Sequence, residues 1–492
     1  MIRKDIIVSV ANTETRIALL EEDRLTGLYV ERAEDNSLVG NIYKGRVLNL
    51  ISGLKAAFVN IGMEKNGFLP LDEIPFSDFS ELFENEVEMD EKLRPEEIKL
   101  KENQETIVQI TKDAYGVKGP RVTSYISLPG RYMVLLVNAR NVGVSRKIRQ
   151  RRDRDNLFRI GREIKPESMG LIIRTAASTA RPEELRSEAR WLKTEWERSQ
   201  HAARSKPAPV LIYHEPSTLI KLVRDSFNHE VRNLIIDSDA RYREIIGYLS
   251  KVSPRMRSRT KLYRDADPIF QKYGIEDQVK NIFERKIWLS SGGYIVLDQA
   301  EALMAIDVNT GKSSREKQAE KLALQTNLEA IREVVRQLRL RDIGGMVVVD
   351  LIDMERRENI DRVIREFKNL LHADKARYRI GTVSEFGLLE FTRERSRTNL
   401  TLALSEQCPT CKGRGRIISR TSIVGYIERW FIANAKNVKG KMIELQTAPR
   451  VADFLSLFQT DILAKIAREH NLILKLKGDY SILDDDFKVV II

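Results

Sequence analysis

Two cysteines in 492 residues exclude a disulfide-rich secreted scaffold, and because both stand in one CxxC their role is local. No apolar run approaches the roughly 20 residues that span a bilayer. The charged opening Met1-Ile-Arg-Lys-Asp also lacks the hydrophobic segment of a signal peptide, so a cytoplasmic protein without a transmembrane segment is expected. Histidine is scarce as well: the five present form no acid/base pair, which turns attention to carboxylate chemistry. There is no internal repeat and no low-complexity tail. What the chain does have is 42% hydrophobic and 31% charged residues with a net charge of +12, the composition of a globular protein with a polyanionic partner or an anionic lipid surface. Its length implies roughly three or more compact units.

The most informative segment is Gly292-Gly293-Tyr-Ile-Val-Leu-Asp298 followed by Ala302-Leu-Met-Ala-Ile-Asp307-Val-Asn309, two strands around a polar turn at Gln299 to Glu301. Side chains two apart on a strand share a face, so Asp307 and Asn309 project together. A third short apolar strand, Gly344-Gly345-Met-Val-Val-Val-Asp350, ends in a carboxylate. If it lies beside the second, the two Asp residues meet at one sheet edge as a cradle for Mg²⁺, which takes few carboxylates and keeps waters for a phosphate substrate. The bland alternative is that each Asp merely caps a helix or closes a turn. Asp353 reads as structural.

Elsewhere, residues 5 to 32 read as three strands. From Val39 to Lys112 short glycine-punctuated strands suggest a small Greek-key barrel whose last strand is Thr106 to Lys112, interrupted by an acidic, helix-prone, solvated insertion between Phe76 and Glu105. A mixed unit follows from Gly119 to about Pro216. Its basic run Arg149 to Arg154, with Arg146, is equally a strand guide or a solvated surface. Glu316 to Arg341 is a long helix whose Leu324, Leu328, Ile331, Val335 and Leu338 recur at core spacing; its Arg332, Arg336, Arg339 and Arg341 are candidates to face phosphates, with a solvated face as the default reading. Ser405 to Arg416 is a cysteine-glycine linker before a small α/β cap.

Taken in order, Val39-Gly-Asn-Ile-Tyr-Lys-Gly-Arg-Val47, Ala56-Ala-Phe-Val-Asn-Ile-Gly62, Gly67-Phe-Leu-Pro70, Ile173-Arg-Thr-Ala176, Ser291-Gly-Gly-Tyr294 and Ile306-Asp-Val-Asn309 resemble motifs of the ribonuclease E/G family, most like its ribonuclease G branch. Leu338-Arg-Leu-Arg341, Gly344-Gly345 through Asp350-Leu-Ile-Asp-Met354, Phe386-Gly-Leu-Leu-Glu390 and Cys408-Pro-Thr-Cys-Lys-Gly-Arg-Gly415 extend the resemblance over most of the chain. It implies a multidomain α/β (α+β) fold. An RNase H-like subdomain would be discontinuous (1–39 and 216–282), with an S1-like OB barrel (40–118, acidic insertion 76–105) and a 5′-sensor domain (119–215) inserted. A DNase I-like catalytic subdomain (283–404), a zinc link (405–417) and a small dimerisation domain (418–492) would follow.

The same resemblance implies roles. Asp307, Asn309 and Asp350 would be catalytic, the two Asp residues binding Mg²⁺. Phe58, Phe68 and Lys112 would contact RNA, although phenylalanines in a small barrel are otherwise core residues. Gly130, Val134, Arg174, Thr175 and Arg377 would form a pocket for a 5′-monophosphate. Cys408 and Cys411 would supply half of a four-thiolate zinc site shared by two chains, giving a homodimer or a tetramer; a redox CxxC is the competing reading. The implied activity is Mg²⁺-dependent cleavage of single-stranded RNA to 5′-monophosphate and 3′-hydroxyl ends, serving rRNA maturation and mRNA decay. A non-catalytic RNA-binding assembly platform is the alternative, and a translation-associated S1 protein is disfavoured by the single barrel.

Overall fold

The structure is a computed structural model that describes all residues except 1–2, 33–36, 72–86, 90–99, 115–117, 149, 312–315, 373, 375, 385, 396–398 and 412, and the backbone alone of 52, 87–89 and 316–318. Most of the acidic insertion, and Arg149 of the basic run, lie outside the described residues. The chain forms two compact units, 1–400 and 401–492.

In the first unit, a five-stranded sheet joins the meander Lys4–Val10, Glu14–Glu21 and Arg24–Arg32 to two strands from far along the chain, Val231–Ile236 and Thr260–Leu262. Val231–Ile236 runs parallel to Lys4–Val10. Residues alternating on these strands, Ile6, Val8 and Ile17, bury against Leu219, Phe227, Tyr248 and Leu249 of the helical segments that flank Val231–Ile236. The intervening chain forms two further sheets.

The first of them is a closed barrel. Ile42–Ile51 pairs antiparallel with both Ala56–Asn60 and Glu105–Lys112, and Gly67–Pro70 and Arg121–Thr123 complete the circuit around Val47, Val59, Leu69, Val108 and Val122. Two boundaries differ from the sequence expectation. Glu105–Lys112 is not the last barrel strand, because Arg121–Thr123 follows it, and Val210–Tyr213 returns to pair with Ile42–Ile51. Both added strands are only three or four residues long, too short for alternation to reveal. The second sheet contains Ser127–Pro129, Met133–Leu136, Gly170–Ile173 and Val142–Ser145, and takes Val87–Met89 at its edge. That tripeptide belongs to the acidic insertion, so this part of it is strand rather than helix.

The third sheet of interest has six strands in the order Lys286–Trp288, Tyr294–Gln299, Leu303–Asn309, Gly345–Asp350, Leu388–Arg393 and Tyr378–Val383. One face is covered by the helices Glu316–Arg341 and Arg357–Leu371. Ile331, Val334, Val335, Leu338, Val363 and Phe367 pack there on Ile295, Ile306, Val308, Val347, Val349 and Phe391. Period-2 alternation therefore sends the residues between these to the opposite, open face. Leu324 and Leu328 sit at the margin of that core, partly buried.

The arginines of the long helix correct the expectation of a solvated face. Arg339 pairs with Glu21 (2.8 Å), Arg336 with Glu333 and the Leu25 carbonyl (2.8 Å), Arg332 with Glu366 (2.8 Å), and Arg341 donates to the Gln337 side chain and the Glu284 carbonyl. All four are thus paired within the unit, two of them to the first sheet, and only Arg332 remains largely exposed. Burial, with Arg336 close by, lowers the Arg341 pKa to about 10.

The second unit is built on the three-stranded sheet Ile473–Gly478, Met442–Thr447 and Phe487–Ile491, with Ile427, Phe431, Val451 and Leu455 in its core. No helix among the described residues is long and apolar enough to cross a membrane.

Candidate active site

Asp307 and Asp350 are register partners on adjacent parallel strands in the middle of the six-stranded sheet. Both are exposed, while Ile306, Val308, Val347 and Val349 beside them are buried, so the two carboxylates stand on the open face about 4.8 Å apart at the backbone. The expected meeting at a sheet edge is therefore a meeting on a sheet face. Asn309, two residues on, donates from Nδ2 to Asp307 Oδ2 at 2.7 Å, which orients that carboxylate. Asp298 shares the open face but is engaged by a two-pronged Arg285 guanidinium, which holds its carboxyl below the usual range. Asp353 is exposed beyond the strand end.

The end of the Asn309 strand is fixed by a close approach of two glycine turns. A Cβ on Gly293 would fall 2.7 Å from the Asn309 carbonyl oxygen, and one on Gly311 would collide with the Gly292 carbonyl, so side chains are excluded there. The long helix supports this turn from behind: Glu329 accepts from the Ser291 N–H at 2.9 Å. The same helix fixes the exit from Asp350. Asn327, fully buried, donates to the Ile352 carbonyl (2.8 Å) and accepts from the Ile352 N–H (3.0 Å), satisfying both backbone groups of that residue. Asn327 and Glu329 were missed from the sequence. The available signal was weak: Thr326-Asn327, poor helix formers, interrupt an apolar stripe.

Among the described residues no group of three or more His, Cys, Asp or Glu side chains could cage a metal ion. Two carboxylates and an amide on an open face are instead an incomplete set of oxygen donors, which leaves coordination positions for water and substrate.

In the barrel, Phe58 and Phe68 are register partners with ring centroids 5.8 Å apart, edge to face, and both are partly exposed. Phe68 pairs onward with Arg121, and Arg121 with Lys112, so two aromatic and two cationic residues form one row across four strands. Arg121 had no signal in the sequence because its strand was not recognised.

In the mixed sheet, Arg174 Nη1 donates to the Gly130 carbonyl (2.7 Å) and pairs with Asp225 (2.7 Å). Burial works to raise the Asp225 pKa, but Arg174 and Arg224 hold it below the usual range. The Gly130 turn is held by Glu188, a fully buried carboxylate that accepts from the N–H groups of Arg131 (2.6 Å), Tyr132 (2.7 Å) and Met133 (3.1 Å). Complete burial outweighs those bonds and pushes Glu188 up to about 7. Thr175 is exposed next to Arg174, whereas the Val134 side chain is buried in the sheet. Arg377 precedes the Tyr378–Val383 strand and lies 3.9 Å from Glu394.

In the second unit, Cys408 is exposed and Cys411 half-buried. Backbone N–H groups of Cys411 and Thr410 draw the Cys408 thiol below its usual pKa, and Gly413 and Gly415 adopt positive φ just beyond. Thiolate-favouring amides and unhindered glycines fit a metal knuckle with two of four ligands.

With this geometry in place, the chain can be compared with known proteins. The family model described as the Ribonuclease E/G family matches residues 127–396, which include both carboxylate strands. Ribonuclease G of Escherichia coli K12 is 32% identical over 462 residues, covering 94% of each chain. The chain belongs to the ribonuclease E/G family. Ribonuclease G of Haemophilus influenzae is 32% identical over 451 residues (92% of this chain and 91% of that one). Ribonuclease E of the same organism is 35% identical over 471 residues, 96% of this chain but half of its own length. The family match thus spans the six-stranded sheet, and the full-length similarity to ribonuclease G extends to the barrel and the second unit.

Proposed function

We propose that this family member is a magnesium-dependent endoribonuclease that cuts single-stranded RNA to leave 5′-monophosphate and 3′-hydroxyl ends. The observation that carries the reading is Asp307 facing Asp350 across one strand step on an open sheet face, with Asn309 bonded to the first. In this reading Asp307 and Asp350 hold the cation, Asn309 orients Asp307, and Asn327 fixes the segment that follows Asp350. When bound, the ion supplies an acidified water and neutralises charge on the phosphate. The names ribonuclease E and ribonuclease G borne by relatives support RNA as the substrate.

The other elements take supporting roles. Phe58 and Phe68 offer rings to unpaired bases, and Arg121 and Lys112 offer charge to the phosphates between them. Arg174 and Thr175 receive a 5′-monophosphate, and the Asp225 carboxylate beside Arg174 disfavours the extra charge of a triphosphate, which makes cutting faster on monophosphorylated ends. The discontinuous first sheet is read as the RNase H-like subdomain, the six-stranded sheet as the DNase I-like one, and residues 418–492 as the dimerisation domain, with Cys408 and Cys411 of two chains holding one zinc. The cellular setting is cytoplasmic rRNA maturation and mRNA decay.

The test is cleavage of a 5′-monophosphorylated single-stranded RNA by Asp307→Asn and Asp350→Asn chains, with RNA binding measured alongside. Loss of cutting with retained binding is expected. Undiminished turnover in both variants rejects the site, and an unsubstituted chain that shifts RNA in a gel with Mg²⁺ but never shortens it is an assembly platform instead.

A further inference from the structure

The open face beside the two carboxylates carries an aromatic cluster that the cutting centre does not use. Trp288 is 64% exposed, its ring lies 5.3 Å from that of Tyr294 at 63°, and the Lys286 ammonium sits over both, 4.2 Å from the Trp288 centroid and 3.6 Å from that of Tyr294. Strand register ties this cluster to the carboxylates through two parallel rungs. Trp288 lies opposite Tyr294, which lies opposite Asn309. Lys286 lies opposite Val296, which lies opposite Asp307 and, one strand further, Asp350. With strands about 4.8 Å apart, the Trp288 and Lys286 strand is about 10 Å from Asp307, on the same face.

A tryptophan so exposed contributes little to the core, and this one belongs to the outermost strand of the sheet. What the position offers is a free indole face for stacking. The lysine adds a cation whose long stem is restrained by two rings, so that little entropy is lost when it meets an anion. An apolar ring and an adjacent positive charge complement a nucleobase and its phosphate, not an aliphatic or acidic-poor protein surface.

We propose that Trp288, Tyr294 and Lys286 form a subsite for the nucleotide next to the scissile linkage, with Trp288 stacking on its unpaired base and Lys286 meeting its phosphate. The proposal rests on the reading of Asp307 and Asp350 as the cutting centre. Stacking tolerates any base but requires one that is not paired, so the subsite selects single strands at the point of cleavage without selecting sequence.

The experiment uses a single-stranded RNA with one cleavage site and a matched series in which an abasic nucleotide replaces each base around the cut in turn. For the unsubstituted chain, an abasic nucleotide at one position should lower kcat/KM about tenfold. Trp288→Ala should show a similar loss on the intact RNA and no further loss with that abasic RNA, while Trp288→Phe retains most of the activity. Lys286→Gln should weaken the salt dependence of KM. Equal additional losses at every abasic position in Trp288→Ala, or full activity of that variant on intact RNA, overturn the subsite. A fall in molecular mass of Trp288→Ala by light scattering would assign the patch to a second copy of the chain and likewise overturn it. The two readings separate cleanly: Asp307→Asn that still cuts removes the centre, whereas a dead Asp307→Asn with an additive abasic series removes the subsite alone.

Discussion

Replacing Asn327 by leucine asks whether the buried amide behind the sheet positions Asp350. The side chain is fully buried and its two hydrogen bonds are the partners of both backbone groups of Ile352, two residues beyond Asp350. Leucine matches the amide in size but offers no polar atom, so the Ile352 N–H and C=O are left without these bonds. At about 1 to 3 kcal/mol for each group left unpaired, the two together amount to about 2 to 6 kcal/mol, and because Ile352 is only partly buried the loss should fall in the lower half of that range. The Asp350 carboxylate then loses its fixed exit, and a displacement of about 1 Å at a reacting centre costs about a hundredfold in rate. Urea unfolding should show a lower midpoint at unchanged slope, and single-turnover cleavage should show kcat reduced with KM nearly unchanged. Asn327→Asp, which sets a carboxylate against the Ile352 carbonyl in a fully buried site, should be at least as damaging at neutral pH. A destabilised Asn327→Leu chain that cuts at the normal rate would refute the positioning argument, and an unchanged midpoint would refute the energetic one.

Three further outcomes are expected. Glu188 has its folded pKa raised from 4.5 to about 7, so relative to Glu188→Gln its contribution to stability is fully present below about pH 4.5 and is lost as pH rises through about 7, a change of roughly 3 kcal/mol; urea midpoints of the two chains that stay parallel across that window would contradict it. In the barrel, Lys112→Ala should flatten the dependence of log binding constant on log salt by about 0.7, while Phe58→Ala should cost about 1 to 3 kcal/mol of binding at unchanged slope, measured by titration of fluorescent RNA; equal slope changes in both variants would dissolve the distinction between charge and stacking. For the second unit, metal analysis should give half an equivalent of zinc per chain, and Cys408→Ser should lose both the zinc and the dimer, whereas a full equivalent that survives the substitution would remove the shared site.

How much of this was legible in the sequence depended on whether the determinant was local. The hairpin from Tyr294 to Asn309 could be read because alternation and the flanking glycines are contained in one short stretch, and the Asp350 strand because its apolar run ends in a carboxylate. The helix stripe through Ile331, Val335 and Leu338 was readable for the same reason. By contrast, the row Phe58, Phe68, Arg121 and Lys112 depends on a three-residue strand that no periodicity marks. Glu188 and Asn327 are polar residues on helices whose partners are backbone groups 55 and 25 residues away. Period tells which face of a helix is inward, not what polar group waits there. The arginines of the long helix make the point most strongly: Arg339 finds Glu21 across 318 residues of chain, and a charge run without its partner reads as a solvated face.

That long helix, Glu316–Arg341, also explains why the open face can remain open. Its apolar side supplies much of the burial the six-stranded sheet receives, all on one face. Polar positions on the same helix, buried Asn327 and half-buried Glu329, reach the two turns beside the ends of the Asn309 and Asp350 strands. Its C-terminal arginines then anchor it to the first sheet at Glu21 and Leu25. With packing, strand ends and anchorage all drawn from behind, the residues pointing the other way are released from any duty to the core. Asp307, Asp350, Asn309, Lys286 and Trp288 can therefore be chosen for what they hold, because the stability of the sheet is provided from its opposite side.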